Sequence, residues 1–127
     1  MKNLLVLMLM VPSFLGTTEA NLSGITKAIG SGDAQALGQY FDDSIEIGIL
    51  GNEGFYGKSK AISMVQGFFS KYRPTAFSQV HKGAPPSKDS QYCIGNLTAG
   101  GQSFRVYIYM KMSGGKTVIQ ELKFDKE

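Results

Sequence analysis

The sequence predicts one α+β domain in which helices pack on one face of an antiparallel sheet. Its first half carries apolar residues at helical spacing around an alternating stretch, and its second half carries four alternating stretches separated by turn residues. Helices followed by a run of consecutive strands are typical of the α+β class. The length of 127 residues fits a single domain.

Residues 1–20 are predicted to form a signal peptide outside the folded domain. Lys2 precedes the apolar run LLVLMLMVPSFLG, and Ala20 ends a segment with small residues of the kind found at cleavage sites. The run contains Pro12 and is shorter than the about 20 apolar residues that a transmembrane helix needs. An N-terminal core helix is the alternative. We expect residues 21–127 to form an exported domain without a stable membrane anchor, in the periplasm or outside the cell.

The charge pattern argues against a nucleic-acid partner. The formal net charge is +3, the basic residues are scattered, and the arginines are Arg73 and Arg105 alone. Nucleic-acid-binding surfaces instead cluster lysine and arginine on one face. Cys93 is the only cysteine, so the chain has no internal disulfide and depends on its hydrophobic core. Cys93 stands between Tyr92 and Ile94, where we expect a small buried hydrophobic residue.

Two short helices are predicted at the start of the domain. The first covers roughly residues 22–29, and the second begins after Asp33, a capping residue, and ends at Tyr40–Phe41. Asp42 and Asp43 are predicted to form a corner that leads into the strand SIEIGIL. The next stretch, GNEGFYG, predicts a turn with one short aromatic strand.

The longest and most buried helix is predicted from Ser59 to Tyr72, because SKAISMVQGFFSKY carries a wide apolar stripe. Pro74 ends it, since the residue before a proline avoids the helical conformation. Four strands follow as an antiparallel meander: TAFSQVHKG, QYCIGNLTA, QSFRVYIYMKM and KTVIQELKF. Gly100-Gly101 predicts a two-residue hairpin turn between the second and third of these strands.

The third strand of the meander has two different faces. Alternation places Phe104 and the four apolar residues that follow it at even positions in the core. Arg105, Tyr107 and Tyr109 lie on the opposite face, and Ile119 of the next strand is predicted to share it. An aromatic outer face suggests a homodimer interface or partner surface. The alternative is that these tyrosines are present only because tyrosine favours strands.

The segments AIGSGDAQALGQYFDDSIEI, GKSKAISMVQGFFSKYRPTAFSQVHKG and QELKFDKE, in this order, resemble the nuclear transport factor 2-like superfamily. The chain is most similar to an exported bacterial family known as domain of unknown function 4783, over about residues 22–127. The resemblance implies a cone-shaped α+β fold with N-terminal helices and one long helix packed on a curved antiparallel sheet, a cavity between the long helix and the sheet, and dimerisation through the sheet. Some relatives use the cavity for isomerase or dehydratase chemistry and many are binding domains, so the fold alone assigns no function.

Few residues are candidates for chemistry inside such a cavity. A general base has to face its substrate, whereas alternation places Glu46 and Glu121 outside and turn chemistry accounts for Asp42 and Asp43. One histidine and one cysteine do not supply the ligand set of a metal site. Catalytic and nucleotide-binding motifs are absent from the sequence. We therefore expect no metal and no cofactor.

Three residues remain as candidate ligand contacts. His81 is the only histidine and shares parity with Phe77, Gln120 is the polar residue that alternation places inside, and Tyr56 is predicted at the rim. The pattern favours a non-enzymatic module that binds a small apolar ligand or another protein. The alternative is an isomerase- or dehydratase-type enzyme with His81 as base, which requires His81 to line the cavity beside a second polar group. A third possibility, a structural partner in an envelope complex, requires a cavity filled by phenylalanine and methionine and a covered sheet face.

Overall fold

The fold is that of a computed structural model, which describes residues 17–83 and 89–127. The predicted signal peptide lies outside these residues, except for the backbone of residues 17–20, which begins the first helix. Within the described residues, no helix combines the length and the apolar character needed to cross a membrane.

In the described parts of the chain there are three helices and six strands. The helices are α1 (Thr17–Ser31), α2 (Ala34–Gly38) and α3 (Lys58–Lys71). The strands are β1 (Phe41–Ile49), β2 (Asn52–Gly57), β3 (Pro74–Gly83), β4 (Ser90–Ala99), β5 (Gln102–Ser113) and β6 (Lys116–Lys126).

All six strands form one sheet in the order β2-β1-β6-β5-β4-β3. Strands β3 to β6 form the predicted antiparallel meander, and the β1–β2 hairpin joins it beside β6. Strands β1 and β6 run parallel to each other, whereas the other described pairings are antiparallel. The predicted α+β class, with helices packed on a curved and mostly antiparallel sheet, is confirmed.

The junction between α2 and β1 lies earlier in the chain than the sequence predicts. Asp33 caps α2 as expected, because its carboxylate accepts a hydrogen bond from a backbone amide of the first turn at 3.0 Å. The helix ends before Tyr40, whose carbonyl accepts a hydrogen bond of 2.7 Å from the amide of Ile119 in β6. This bond joins the chain to the sheet, so Phe41 begins β1. The predicted corner at Asp42–Asp43 is therefore wrong, since both residues lie within the strand.

Aromatic side chains fill the space between α3 and the inner face of the sheet, which is the face that carries the helices. The ring of Phe68 stacks on Phe124 with 4.5 Å between centroids and meets Phe104 edge-on at 5.2 Å. Phe69 and Tyr72 extend this cluster. Aromatic contacts of this geometry stabilise a core beyond the area they bury. The region under α3 is thus a packed core.

Glycine is required at two places in the meander. A methyl group at Gly95 of β4 would come within 2.7 Å of the Phe77 ring and 2.8 Å of the Ser78 carbonyl oxygen, so the glycine makes room for a ring from β3. The hairpin turn predicted at Gly100-Gly101 is confirmed, with φ of 58° and 77° at the two residues. Glycine adopts such positive φ values without steric cost.

Candidate functional site

The sheet face opposite to the inner face, called the outer face below, presents side chains in rows that cross the strands. The register defines these rows, because residues directly opposite one another share a face. The first row consists of Phe55, Glu46, Glu121, Tyr109 and Tyr92, from β2 to β4. The second row consists of Glu53, Gly48, Lys123, Tyr107, Ile94 and His81, from β2 to β3. Tyr107 and Tyr109 therefore lie at the centre of the outer face.

Aromatic rings from three neighbouring strands meet on the outer face. The rings of Tyr92 and Tyr107 have centroids 6.3 Å apart and planes inclined by 25°. His81 Nε2 lies 3.1 Å from the Tyr92 hydroxyl. Burial raises the pKa of Tyr107 above 10.0, and the charge of Glu121 raises it further against the opposing effect of Lys123. The Tyr107 hydroxyl therefore stays protonated at neutral pH and can donate a hydrogen bond.

Charge is unevenly distributed over the outer face. Glu46, Glu53 and Glu121 lie on the half formed by β1, β2 and β6, where the Lys123 ammonium is 3.7 Å from the first two carboxylates. Burial lowers the pKa of Lys123, but the charges of the three glutamates outweigh it and raise this pKa above 10.5. The half formed by β3, β4 and β5 contains no acidic residue, and β5 contributes Arg105. The two halves therefore differ in sign.

The three candidate ligand contacts do not come together. His81 is exposed on β3 at one edge of the sheet, and Tyr56 is half-buried on β2 at the other edge. These edges are five strand spacings apart, or about 24 Å. The enzyme alternative required His81 to line the cavity beside a second polar group, and His81 instead contacts Tyr92 on the outer face. That requirement is contradicted.

Irregular strand pairing explains two wrong placements. In β3 the register shifts between Gln79 and His81, so His81 lies on the face opposite to Phe77. In β6 the register shifts beside Gln120, which places Ile119 in the core. Ile119 is fully buried and is not part of the partner face, contrary to the prediction. One extra residue in a strand reverses the alternation beyond it, and the apolar pattern does not reveal where the extra residue lies.

Gln120 is half-buried and bonds to a carboxylate. Its Nε2 donates a hydrogen bond of 3.0 Å to Oδ2 of Asp42 on β1. Asp42 lies in the part of β1 where the pairing with β6 shifts register. The side-chain bond therefore links the two strands where their backbone pairing is interrupted, which is a structural role.

Two adjoining clefts lie at the end of the sheet where β5 turns into β6. The first has a volume of about 80 Å³ and is lined mainly by Asp89, Gln91, Met110, Lys111, Met112 and Thr117. The second has a volume of about 250 Å³ and is lined by Asn21, Gln39, Tyr40, Gly115, Lys116 and Thr117. Thr117 borders both clefts, accepting a hydrogen bond from Asn21 at 3.1 Å and donating one to the Met112 sulfur at 3.2 Å.

Sequence reasoning missed these clefts because their walls come from distant segments. Asn21 and Thr117 are 96 residues apart in the chain, and no motif connects them. Within residues 17–83 and 89–127, no group of three or more histidine, cysteine, aspartate or glutamate residues could hold a metal ion.

The comparison with known families decides the relationship of the chain. The sequence model of a domain of unknown function, DUF4783, matches residues 22–125. The chain belongs to the DUF4783 family. A DUF4783 family protein from Bacteroides ovatus superposes with a TM-score of 0.78 at 28% identity, covering 83% of this chain and 94% of that chain. One from Bacteroides uniformis gives a TM-score of 0.77 at 27% identity, covering 83% and 95%.

A more distant structure supports the fold of this DUF4783 domain. An NTF2-like protein of unknown function from Silicibacter pomeroyi superposes with a TM-score of 0.63 at 14% identity, covering 87% of this chain and 92% of that chain. The predicted nuclear transport factor 2-like fold is thereby confirmed. A search among curated proteins finds no match.

Proposed function

We propose that this DUF4783 domain is an exported, non-enzymatic interaction module that forms a homodimer through the outer face of its sheet. The observation that carries the proposal is the composition of the outer face. Aromatic residues occupy its centre, glutamates occupy the half formed by β1, β2 and β6, and the other half carries Arg105, whose guanidinium lies 3.0 Å from the Glu127 carboxylate of the same chain. Export rests on the signal-like pattern of residues 1–20.

A two-fold arrangement makes this face complementary to itself. An axis parallel to the strands and between β5 and β6 sets β5 of one copy against β6 of the other, in the nearly aligned packing common for stacked sheets. Residues that are opposite one another within the sheet then also meet across the interface. Arg105 of one copy would face Asp125 of the other, and Tyr107 would face Lys123, since both are opposed pairs in the register.

The facing pairs are chemically matched. Arg105 and Asp125 are both exposed and of opposite sign. The Tyr107 ring can accept the Lys123 ammonium on its face, and its hydroxyl remains a donor at neutral pH. Buried aromatic residues provide most of the binding energy at such interfaces, while charges at the rim mainly set orientation and association rate.

The non-enzymatic part of the proposal is supported by the core. The space under α3 is filled by phenylalanine rings, so a small apolar ligand within the cone is not favoured. His81 and Tyr56 lie at opposite edges of the sheet, so the three candidate contacts do not converge on one substrate. The third possibility, a structural partner in an envelope complex, requires a filled cavity and a covered outer face. The packed core meets the first of these requirements.

Sedimentation equilibrium of two charge-reversal variants tests the dimer. We expect the wild type to form a dimer, and Arg105→Asp and Asp125→Arg each to weaken it by at least about tenfold, because each variant brings like charges together twice in a two-fold interface. An equimolar mixture of the two variants should form a heterodimer, since both facing pairs are then opposite in sign.

The control is Lys60→Glu, which makes a comparable charge change on the exposed side of α3 and should leave dimerisation unchanged. Circular dichroism verifies that every variant is folded. A wild type that remains monomeric at high concentration, or a mixture that does not re-associate, refutes the proposal.

A further inference from the structure

The two-fold arrangement places each row of the outer face against the same row of the other copy, in reversed strand order. The axis lies between β5 and β6, so β4 faces β1 of the other copy and β3 faces β2. In the second row His81 therefore faces Glu53 of the other copy, and in the first row Tyr92 faces Glu46. Each contact occurs twice in the dimer, because a two-fold interface repeats every contact.

His81 keeps one ring nitrogen available for a contact outside its own chain. Its Nε2 lies 3.1 Å from the Tyr92 hydroxyl, whereas Nδ1 has no hydrogen-bond partner among the described residues. A neutral ring accepts from the Tyr92 hydroxyl or donates to it, but a protonated ring only donates. Protonation therefore gives Nδ1 a hydrogen and also leaves the hydroxyl hydrogen of Tyr92 free to point elsewhere.

The groups around His81 supply a carboxylate only from the other copy. Strands β3, β4 and β5 contain no acidic residue, so the half of the outer face that carries His81 offers it none. Across the interface Glu53 has Lys123 of its own chain at 3.7 Å, but its side chain is 49% exposed and can accept a second donor. A nearby opposite charge favours the protonated form of histidine.

We propose that mild acid strengthens the dimer through protonation of His81, an inference that rests on the two-fold dimer proposed above. The Nδ1 hydrogen of the charged ring is donated to the Glu53 carboxylate of the other copy, and the Nε2 hydrogen to the Tyr92 oxygen. The Tyr92 hydroxyl then donates its own hydrogen to the Glu46 carboxylate of the other copy. One protonation thus completes two charge-assisted hydrogen bonds across the interface.

The total charge of the protein predicts the opposite response to acid. The chain has a formal net charge of +3 at pH 7 and becomes more positive as the pH falls. Repulsion between two copies then grows and weakens their association. A dimer that becomes tighter in mild acid therefore requires a specific contact such as that between His81 and Glu53.

Sedimentation equilibrium at about pH 7.5 and about pH 5.5, at constant ionic strength, tests the response, because histidine gains its charge between these values. We expect the dissociation constant of the wild-type dimer to be at least about threefold lower at the lower pH, since two His81–Glu53 pairs form in each dimer. His81→Gln and Glu53→Gln should each remove most of this difference. Tyr92→Phe, which keeps the ring but loses the hydroxyl, should reduce the difference without removing it.

The matched control is Asp33→Asn, which makes the same carboxylate-to-amide change at the start of α2, where asparagine also caps a helix. It should keep the full response to pH. The inference is overturned by a wild-type dimer with equal dissociation constants at both pH values, or by a full response in His81→Gln or Glu53→Gln. A full response in Tyr92→Phe overturns the step through the hydroxyl. A wild type that is monomeric at both pH values instead refutes the dimer itself.

Discussion

Replacement of Gly95 by alanine is expected to destabilise the domain, although the same change usually stabilises a protein. The added methyl would overlap Phe77 Cζ and would lie 2.7 Å from Phe77 Cε1 and 2.8 Å from the Ser78 carbonyl oxygen, closer than side-chain carbons come to other atoms. Inserting a methyl group into a packed region costs about 1–3 kcal/mol, and the reduced backbone freedom of the unfolded chain offsets about 0.5–1 kcal/mol. The free energy of unfolding should therefore fall by roughly 1–2 kcal/mol.

Gly67→Ala is the matched control, because a methyl group there has no neighbour within 4 Å and the residue is exposed in α3. Alanine favours the helix, so this variant should be more stable by about 0.5–1 kcal/mol. Urea unfolding followed by circular dichroism measures both changes. With a slope of about 1–3 kcal/mol per molar urea, the midpoints of the two variants should differ by about 1 M.

A double-mutant cycle tests whether the loss of stability on Gly95→Ala comes from contact with the Phe77 ring. In a Phe77→Ala background most of the crowding is absent, so Gly95→Ala should cost clearly less there than in the wild type. The reasoning is refuted if Gly95→Ala is as stable as the wild type. It is equally refuted if the substitution costs the same in both backgrounds, because the ring would then not cover the glycine.

Two further predictions concern charge and processing. Lys123→Met should lower the stability by about 1 kcal/mol near neutral pH, as measured by urea unfolding across pH. Because folding raises the pKa of Lys123 above 10.5, its stabilising effect is complete below that pH and is lost as the pH rises through the folded value. A stability difference between the wild type and Lys123→Met that grows at alkaline pH contradicts this. For export, the intact mass of the protein isolated from its host should correspond to a chain that begins at Asn21, and a mass that includes Met1 contradicts cleavage.

Alternation and helical spacing predicted the regular parts of the fold. Phe104, Val106 and Ile108 are fully buried as expected, and Tyr107 and Tyr109 lie on the outer face. Prediction failed where the backbone departs from a regular repeat. The position of a register shift depends on hydrogen bonds to the neighbouring strand. The apolar pattern of one strand therefore does not predict where the shift lies.

The candidate site was predictable only in part for a similar reason. The outer face follows from the sequence of β5, because its members alternate within one strand. The clefts beside Thr117 depend on Asn21 and Tyr40, which reach β6 through tertiary contacts. Because the walls of these clefts come from segments that are distant in the chain, no local sequence pattern predicts them.

The parallel pairing of β1 with β6 determines when the fold can be completed. β1 lies between β2 and β6, and its pairing with β6 joins Phe41 to Ile119, so the first strand cannot be enclosed until the last one is present. Contacts between such distant segments make folding slow, because a long loop has to close before they form. A chain still emerging from a ribosome therefore lacks the strand that completes its sheet. A protein that loses β6 should therefore also lose the attachment of β1 to the rest of the sheet.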